Sequence, residues 1–576
     1  MDEDVAKLND QWALKIIDQL ISSGINHFFI APGSRSSPLT LAAAKNKHAI
    51  NIIHFDERGL CFQALGYGKG SSTAAAIIVT SGTAVGNLLP AIMEAHSSYV
   101  PMIILTADRP PELRNCGANQ TVDQVKIFQE FTKWSIDLPC ADQRLMDNYI
   151  TSVMTYAAHI CQQTPMGPVH INCMFREPLH SNPVDICTAD AKSSIFYNKS
   201  RTILSEDTID HIVEKLCQAK NGLIITGSMP SKKAALAAIH LSRSIHWPLV
   251  SDITSQFRST KENNYLIKYF DCITKSIDNL EVDCVIHLGD RLISKTLANW
   301  LKKQTMTYIN VTEHQDRFDP YDLKGDRMSC DLCWFSNEIS RRDIPSSNLF
   351  FPLHLLSQQV EDILESFVTG QNKITELTLP MILSKVIPSE WSIFFGNSMP
   401  ARDADNFFYP YDLSGQIFLN RGVSGIDGNV STVIGLARAI KTPILAVFGD
   451  LTLLHDMTAL TQIIKSPYPI IIVVINNHGG GIFSFLPIAD HSDVFEEYFA
   501  TSHNLSIELL AKFANIDFFS PKDVIELQHI LSNVTQKPKH CIIELVTCRK
   551  ENVKHREQIH HFLKDQLCLQ PHVLET

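Results

Sequence analysis

At 576 residues the chain is too long for a single hydrophobic core and is expected to divide into roughly three or four domains. Its 45% hydrophobic and 19% charged content is that of an ordinary soluble globular protein, and 61 acidic against 50 basic groups argue against a nucleic-acid binder held by bulk charge. Any anionic ligand must be met by cations gathered locally.

The opening MDEDVAKLNDQW is acidic and lacks the basic and apolar stretches of a signal peptide. No apolar run reaches the ~18 residues of a membrane span. The fourteen cysteines are scattered, many of them in apolar segments such as INCMF and HCIIELV. The expectation is a cytoplasmic protein with buried, reduced thiols, with CDLC at 330–333 a lone CxxC that no second pair completes into a zinc site.

Along the first third, HFFIAPG, INIIHFDE, AAAIIVTSG and VPMIILTAD read as strands, each running into a small or polar cluster and then a helix. FYNKSRTILSEDT reads as a linker. GLIITGSMPS and CVIHLGDRLIS are two more strand–loop–helix units, and TEHQDRFDPYDLKGDRMSC is expected to be less structured. The last third repeats the pattern in SIFFGNSMPARD, GQIFLNRGVSGIDG, TPILAVFGDLT, PIIIVVINNHGGG and HCIIELVTC. REQIHHFLKDQLCLQPHVLET reads as a helix and tail. Three α/β domains with doubly wound parallel sheets follow, at 1–185, 200–345 and 370–576. In such sheets ligands sit outside the carboxyl ends of the strands, where every polar cluster falls.

Two of these clusters carry specific chemistry. In FGDLTLLHD and INNHGGGIF, Asp450 ends one strand and Asn477 ends another 27 residues later, an interval that fits one βαβ unit and brings the two ends side by side. A carboxylate, an amide oxygen and a nearby backbone carbonyl are half of an octahedral oxygen site of the kind Mg²⁺ prefers, leaving positions for phosphate oxygens and water. The glycines let the backbone approach a phosphate, and a following helix would offer free N–H groups. Near the other end, Asp56 and Glu57 open a predicted helix at a strand end in IIHFDERGLCFQALGYGKG.

The GD…NN pair resembles the signature of thiamine-diphosphate (ThDP) enzymes, usually GDG followed by NN, with Leu451 here in place of the last glycine. By that resemblance Asp450, Asn477 and the carbonyl of Gly479 would hold Mg²⁺, or Mn²⁺ in its stead. Gly449, Gly480 and Ile482 would border the cofactor, Ile426 would prop it in its bent shape, and Glu57 would be the carboxylate on its aminopyrimidine ring. In such enzymes the cofactor bridges the first and third domains across a subunit interface, which implies a homodimer or homotetramer.

Further strings narrow the family. APGSRSSPLT, HFDERGL, TSGTAVGNLLPA, TADRPPEL, GANQTVDQ, GNSMPARD, NRGVSGIDG and NNHGGGIFSFLP, in this order, resemble the ThDP-dependent 2-succinyl-5-enolpyruvyl-6-hydroxy-3-cyclohexene-1-carboxylate synthases (the MenD family). Cys61 and Gly86 depart from the usual pattern. The resemblance implies decarboxylation of 2-oxoglutarate and 1,4-addition of the remaining unit to isochorismate, in menaquinone biosynthesis. Both substrates are dicarboxylates. Ser34, Arg35, Arg109, Asn119, Gln120, Lys295, Ser398, Arg402 and Arg421 would bind or orient them, and Phe483 and Leu486 would wall off water. Acetolactate-synthase-like or benzoylformate-type enzymes act on monocarboxylates and would need fewer cations. A silent ThDP-fold protein would lack Glu57, Asp450 or Asn477.

Overall fold

The apolar runs form three all-parallel sheets in the computed structural model, which describes residues 2–145, 148–181, 196–261, 263–277, 280–318, 320–369 and 372–568. The first sheet holds β1 (His27–Ile30), β2 (Ile50–Ile53), β3 (Ala75–Val79), β4 (Met102–Asp108), β5 (Trp134–Leu138) and β6 (Pro168–Met174), in the order β2-β1-β3-β4-β6-β5. Every residue of β3, β4 and β6 is buried, as expected of parallel strands covered by helices on both faces.

The second sheet holds β7 (Gly222–Thr226), β8 (Leu249–Ser251), β9 (Cys284–Leu288), β10 (Thr307–Thr312) and β11 (Asp326–Ser329), ordered β11-β10-β9-β7-β8. The third holds β12 (Ser392–Phe395), β13 (Ile417–Phe418), β14 (Ile444–Gly449), β15 (Ile470–Asn476), β16 (Asp517–Phe519) and β17 (Cys541–Val546), ordered β13-β12-β14-β15-β17-β16. The third sheet therefore repeats the strand order of the first. That kinship of topology leaves no trace in the residues themselves.

The chain divides into two compact units, one of 1–200, 420–441 and 455–468, the other of 201–419, 442–454 and 469–576. In the first unit, helix Glu57–Ser71 lies against helix Asn429–Ile440. Their backbones meet through Gly66 and Gly435, where a Cβ would come within 2.0 Å of the Thr432 carbonyl oxygen and 1.9 Å of the Gln63 one. Any larger residue at either place would drive the helices apart.

In the second unit, helix Arg549–Cys568 buries Ile559, Leu563 and Leu567 in the same core as Leu223, Ile225 and Val285. The C-terminal helix is thus part of the fold; residues 569–576 of the expected tail lie outside the described residues.

Two expectations of local structure change. The stretch around TEHQDRFDPYDLKGDRMSC contains β11, a half-exposed edge strand paired to β10 alone. From the third of the three glycines runs a five-residue 3₁₀ turn, Gly481–Phe485, in place of a regular helix. Among the described residues no helix is long and apolar enough to cross a membrane.

Candidate active site

In the second unit, β14 and β15 pair in parallel, with Gly449 opposite Ile475. Asp450, 1% exposed, opens the short helix directly beyond β14, and Asn477 follows β15, so both stand at the carboxyl edge of the third sheet. The Asp450 carboxylate accepts from Gly479 N at 2.9 Å and Leu451 N at 2.7 Å. His503 Nε2 is 3.3 Å from it without hydrogen-bond alignment. Burial outweighs these contacts and pushes the carboxyl above its usual range.

Asn477 donates through Nδ2 to Glu376 Oε1 at 2.9 Å, and its Oδ1 is buried with no hydrogen-bond partner. Such an orphaned oxygen is costly unless something outside the chain completes it. Gly479 sits at φ +142°, with the space a Cβ would need taken by the Ala500 carbonyl at 2.3 Å. The Gly479 carbonyl accepts one bond, from Gly481 N at 2.9 Å, and keeps a second lone pair. Nothing lies within 4 Å of a Cβ built on Gly449. Gly480 is buried, Ile482 and Phe483 are half-buried, and Leu486 is exposed.

A carboxylate strained by burial, an unpartnered amide oxygen and a backbone carbonyl fit a hard divalent cation. Among the described residues no cluster of three or more His, Cys, Asp or Glu side chains is placed to hold a metal. The remaining positions would therefore fall to phosphate oxygens or water.

Ser398 precedes helix Met399–Phe407 at φ +72°, and Arg402 on that helix is half-buried with its Nη1 on the Ser398 carbonyl at 2.7 Å. Burial disfavours its charge, which an anionic partner would stabilise. Lys295 is exposed at the start of helix Lys295–Leu301. No described hydrogen bond links it to Arg402 or Asp450.

In the first unit, Glu57 is the first residue of its helix and half-buried. Asp56 caps that helix, accepting from Arg58 N at 3.1 Å and Gly59 N at 3.3 Å, and Thr458 donates to it at 2.5 Å. Arg58 donates to the His455 carbonyl at 2.9 Å.

Nearby, Asp456 is fully buried and accepts from Ser431 N at 2.7 Å and Oγ at 3.1 Å. Burial still pushes its carboxyl up to about 7 from 3.8. The folded chain therefore keeps this proton after the unfolded chain has lost it, and stability falls as pH rises between those values. Asp456→Asn should gain stability relative to the parent across that window in urea denaturation. A difference that does not change with pH would remove Asp456 from this role.

A cationic group lies at the ends of β1 and β4. Arg35, 7% exposed, donates to the Phe175 carbonyl at 2.9 Å and to Glu177 at 2.6 Å. Arg109, 9% exposed, donates to Ser81 Oγ and to the Gln120 carbonyl at 2.8 Å. Burial, then the charge of Arg35, lowers the Arg109 guanidinium's affinity for its proton, so the two cations lie within each other's field. Gln120 (φ +54°) donates to the Ser81 carbonyl at 3.0 Å, while Ser34 and Asn119 are exposed.

Arg421 and Ile426 are half-buried in the loop before helix Asn429–Ile440. That loop is pinned by Glu94, 1% exposed, which accepts from Gly422 N at 2.9 Å and Val423 N at 2.8 Å. Sequence reasoning passed over Glu94 and Glu376. The one available signal was an acid inside an apolar run, in PAIMEAH and ITELTLP.

Three family models match the chain: "Thiamine pyrophosphate enzyme, N-terminal TPP binding domain" over residues 12–127, "Middle domain of thiamine pyrophosphate" over 188–395, and "Thiamine pyrophosphate enzyme, C-terminal TPP binding domain" over 402–545. The chain is 34% identical over 571 residues to the 2-succinyl-5-enolpyruvyl-6-hydroxy-3-cyclohexene-1-carboxylate synthase of Rubrobacter xylanophilus, covering 97% of this chain and 99% of that one. It is 33% identical to the synthase of that name from Salinibacter ruber, over 96% and 95%. Protein PHYLLO of Arabidopsis thaliana, chloroplastic, is 33% identical over 94% of this chain and 34% of its own length.

Proposed function

The chain belongs to the ThDP-dependent 2-succinyl-5-enolpyruvyl-6-hydroxy-3-cyclohexene-1-carboxylate synthase family, and from that premise we infer that it decarboxylates 2-oxoglutarate and adds the remaining four-carbon unit in a 1,4 manner to isochorismate. The product is the compound for which the family is named, an intermediate of menaquinone biosynthesis. The observation that carries the reading is the orphaned Asn477 Oδ1 beside the buried Asp450 carboxylate at one sheet edge.

ThDP, when bound, supplies the electron sink for loss of carbon dioxide and the means for the former carbonyl carbon to act as a nucleophile. Asp450, Asn477 and the Gly479 carbonyl would hold Mg²⁺ (or Mn²⁺) and through it the diphosphate, with Gly449, Gly480 and Ile482 leaving room for it. Glu57 would share a proton with the aminopyrimidine ring, and Ile426 would support the cofactor's bend.

Ser34, Arg35, Arg109, Asn119, Gln120, Lys295, Ser398, Arg402 and Arg421 would receive the two dicarboxylates. Desolvated guanidinium groups favour such partners: the carboxylate returns in charge-assisted hydrogen bonds what burial has cost. Phe483 and Leu486 would keep water from the reacting carbon. The active unit in this reading is a homodimer or homotetramer. Exposed Ile50, Ile53 and Phe55, just ahead of Glu57, support burial of that edge by a second copy.

The test is isochorismate consumption by purified protein with Mg²⁺ and 2-oxoglutarate, with and without ThDP. Loss of isochorismate that needs both ThDP and 2-oxoglutarate is the expected result. Carbon dioxide released from 2-oxoglutarate with isochorismate untouched would overturn the acceptor, and activity only with pyruvate would overturn the donor.

A further inference from the structure

Glu376 is 2% exposed and lies 101 residues from Asn477 in sequence, yet it is the hub around which the cation-facing edge is built. Its Oε1 accepts from Asn477 Nδ2 at 2.9 Å and from Thr547 Oγ1 at 3.0 Å; its Oε2 accepts from Asn552 Nδ2 at 2.7 Å. The three donors come from just beyond β15, just beyond β17 and the start of helix Arg549–Cys568. All three partners meet Glu376 as donors, so the end of the Asn477 amide turned toward it is the NH₂, and Oδ1 faces the other way, where it is buried without a partner.

We propose that Glu376 is a positioning residue that sets the amide of Asn477 so that its oxygen, and not its NH₂, is presented to the divalent cation, with Asn552 of the C-terminal helix and Thr547 holding Glu376 in place. The two ends of a carboxamide are nearly alike in size, so sterics alone would leave the amide free to turn over. Turned over, it would point two N–H dipoles at a cation. Outer partners of this kind orient the ligating atom and raise its basicity, and their loss typically costs about 10–100-fold in metal affinity. The inference rests on the reading of Asp450, Asn477 and Gly479 as the cation site.

The experiment is ThDP binding to the full-length protein by titration calorimetry at a series of Mg²⁺ concentrations. Glu376→Ala should raise the Mg²⁺ needed for half-maximal ThDP binding by about 10–100-fold. Glu376→Gln should stay within a few-fold of the parent, because its oxygen still accepts from Asn477 while its NH₂ meets Asn552, whose Oδ1 has no hydrogen-bond partner. A merely structural role would lower thermal stability in the alanine variant and leave the Mg²⁺ requirement unchanged, and that result would overturn the proposal.

If Glu376→Ala does not fold, a reciprocal pair decides. Asn477→Asp alone should lose Mg²⁺-dependent binding, since two carboxylates then face each other, and adding Glu376→Gln should restore it by supplying a donor. No restoration would overturn the proposal. A parent protein that binds ThDP with no Mg²⁺ dependence would overturn the cation reading itself, whereas a Mg²⁺-dependent parent with an indifferent Glu376→Ala variant overturns only the role of Glu376.

Discussion

Asp450→Asn should give a folded protein that no longer gains ThDP affinity from Mg²⁺. The substitution keeps the shape of the side chain and one oxygen but removes the charge a cation would balance. Truncating one member of a buried charge pair costs roughly 2–5 kcal/mol, or about 30- to 5,000-fold in affinity. The metal-free protein should respond less. An amide relieves a charge that burial leaves poorly compensated, but both carboxylate oxygens accept from backbone N–H groups, those of Leu451 and Gly479, and the NH₂ of the variant must face one of these donors. The two effects oppose each other, so the unliganded melting temperature should stay close to that of the parent.

Added Mg²⁺ and ThDP should then stabilise the parent, by about 2.7 kcal/mol at a hundred times the dissociation constant, and leave the variant unmoved. Thermal melts of both proteins with and without the two ligands measure all four quantities. A parent-like shift in the variant would take Asp450 out of the cation site.

The parts of the molecule legible in the sequence are those where a pattern is local. Asp450 and Asn477 were readable because each ends a strand of unbroken apolar character, ILAVFG and IIIVVIN, and because a single βαβ interval makes those strands neighbours. β6 was not readable, although wholly buried. His170 and Asn172 interrupt PVHINCM and look polar, yet Asn172 donates to Asp108 at 2.9 Å and Asp137 at 2.8 Å, and His170 meets Thr106 at 2.7 Å. Buried polar groups satisfied by one another leave no signal in hydropathy.

β11 and β5 escaped for another reason: each is a short edge strand, only half buried, β11 with Met328 as its one apolar residue and β5 with Trp134, Ile136 and Leu138 alternating with polar residues in place of an unbroken apolar run. Glu376 and Arg556 escaped because their partners are remote in sequence. Arg556 pairs with Asp403 and lies 5.0 Å from the Phe485 ring, contacts that exist only once the C-terminal helix has docked. That docking turns a segment with the look of a solvated tail into a support for the sheet edge where the chemistry is proposed to occur.

Glu57→Gln should cut kcat by about 10²- to 10⁴-fold, the usual worth of a group that moves a proton in the transition state. ThDP and Mg²⁺ should still bind within a few-fold of the parent. The substitution is close to isosteric, and Asp56 makes the capping bonds, so the helix start and its fixed geometry should survive. What is lost is the carboxylate's ability to share a proton with the aminopyrimidine ring; an amide can still touch the ring but cannot exchange protons with it at neutral pH.

Two measurements made together separate this role from simple binding: calorimetric affinity for ThDP, and the rate at which the thiazolium C2 proton of bound ThDP exchanges with deuterium. Slow exchange with intact affinity is the expected pair, and it would place the defect before either substrate reacts. Exchange as fast as in the parent would show that Glu57 does not activate the cofactor, and a large loss of affinity would recast it as a binding residue.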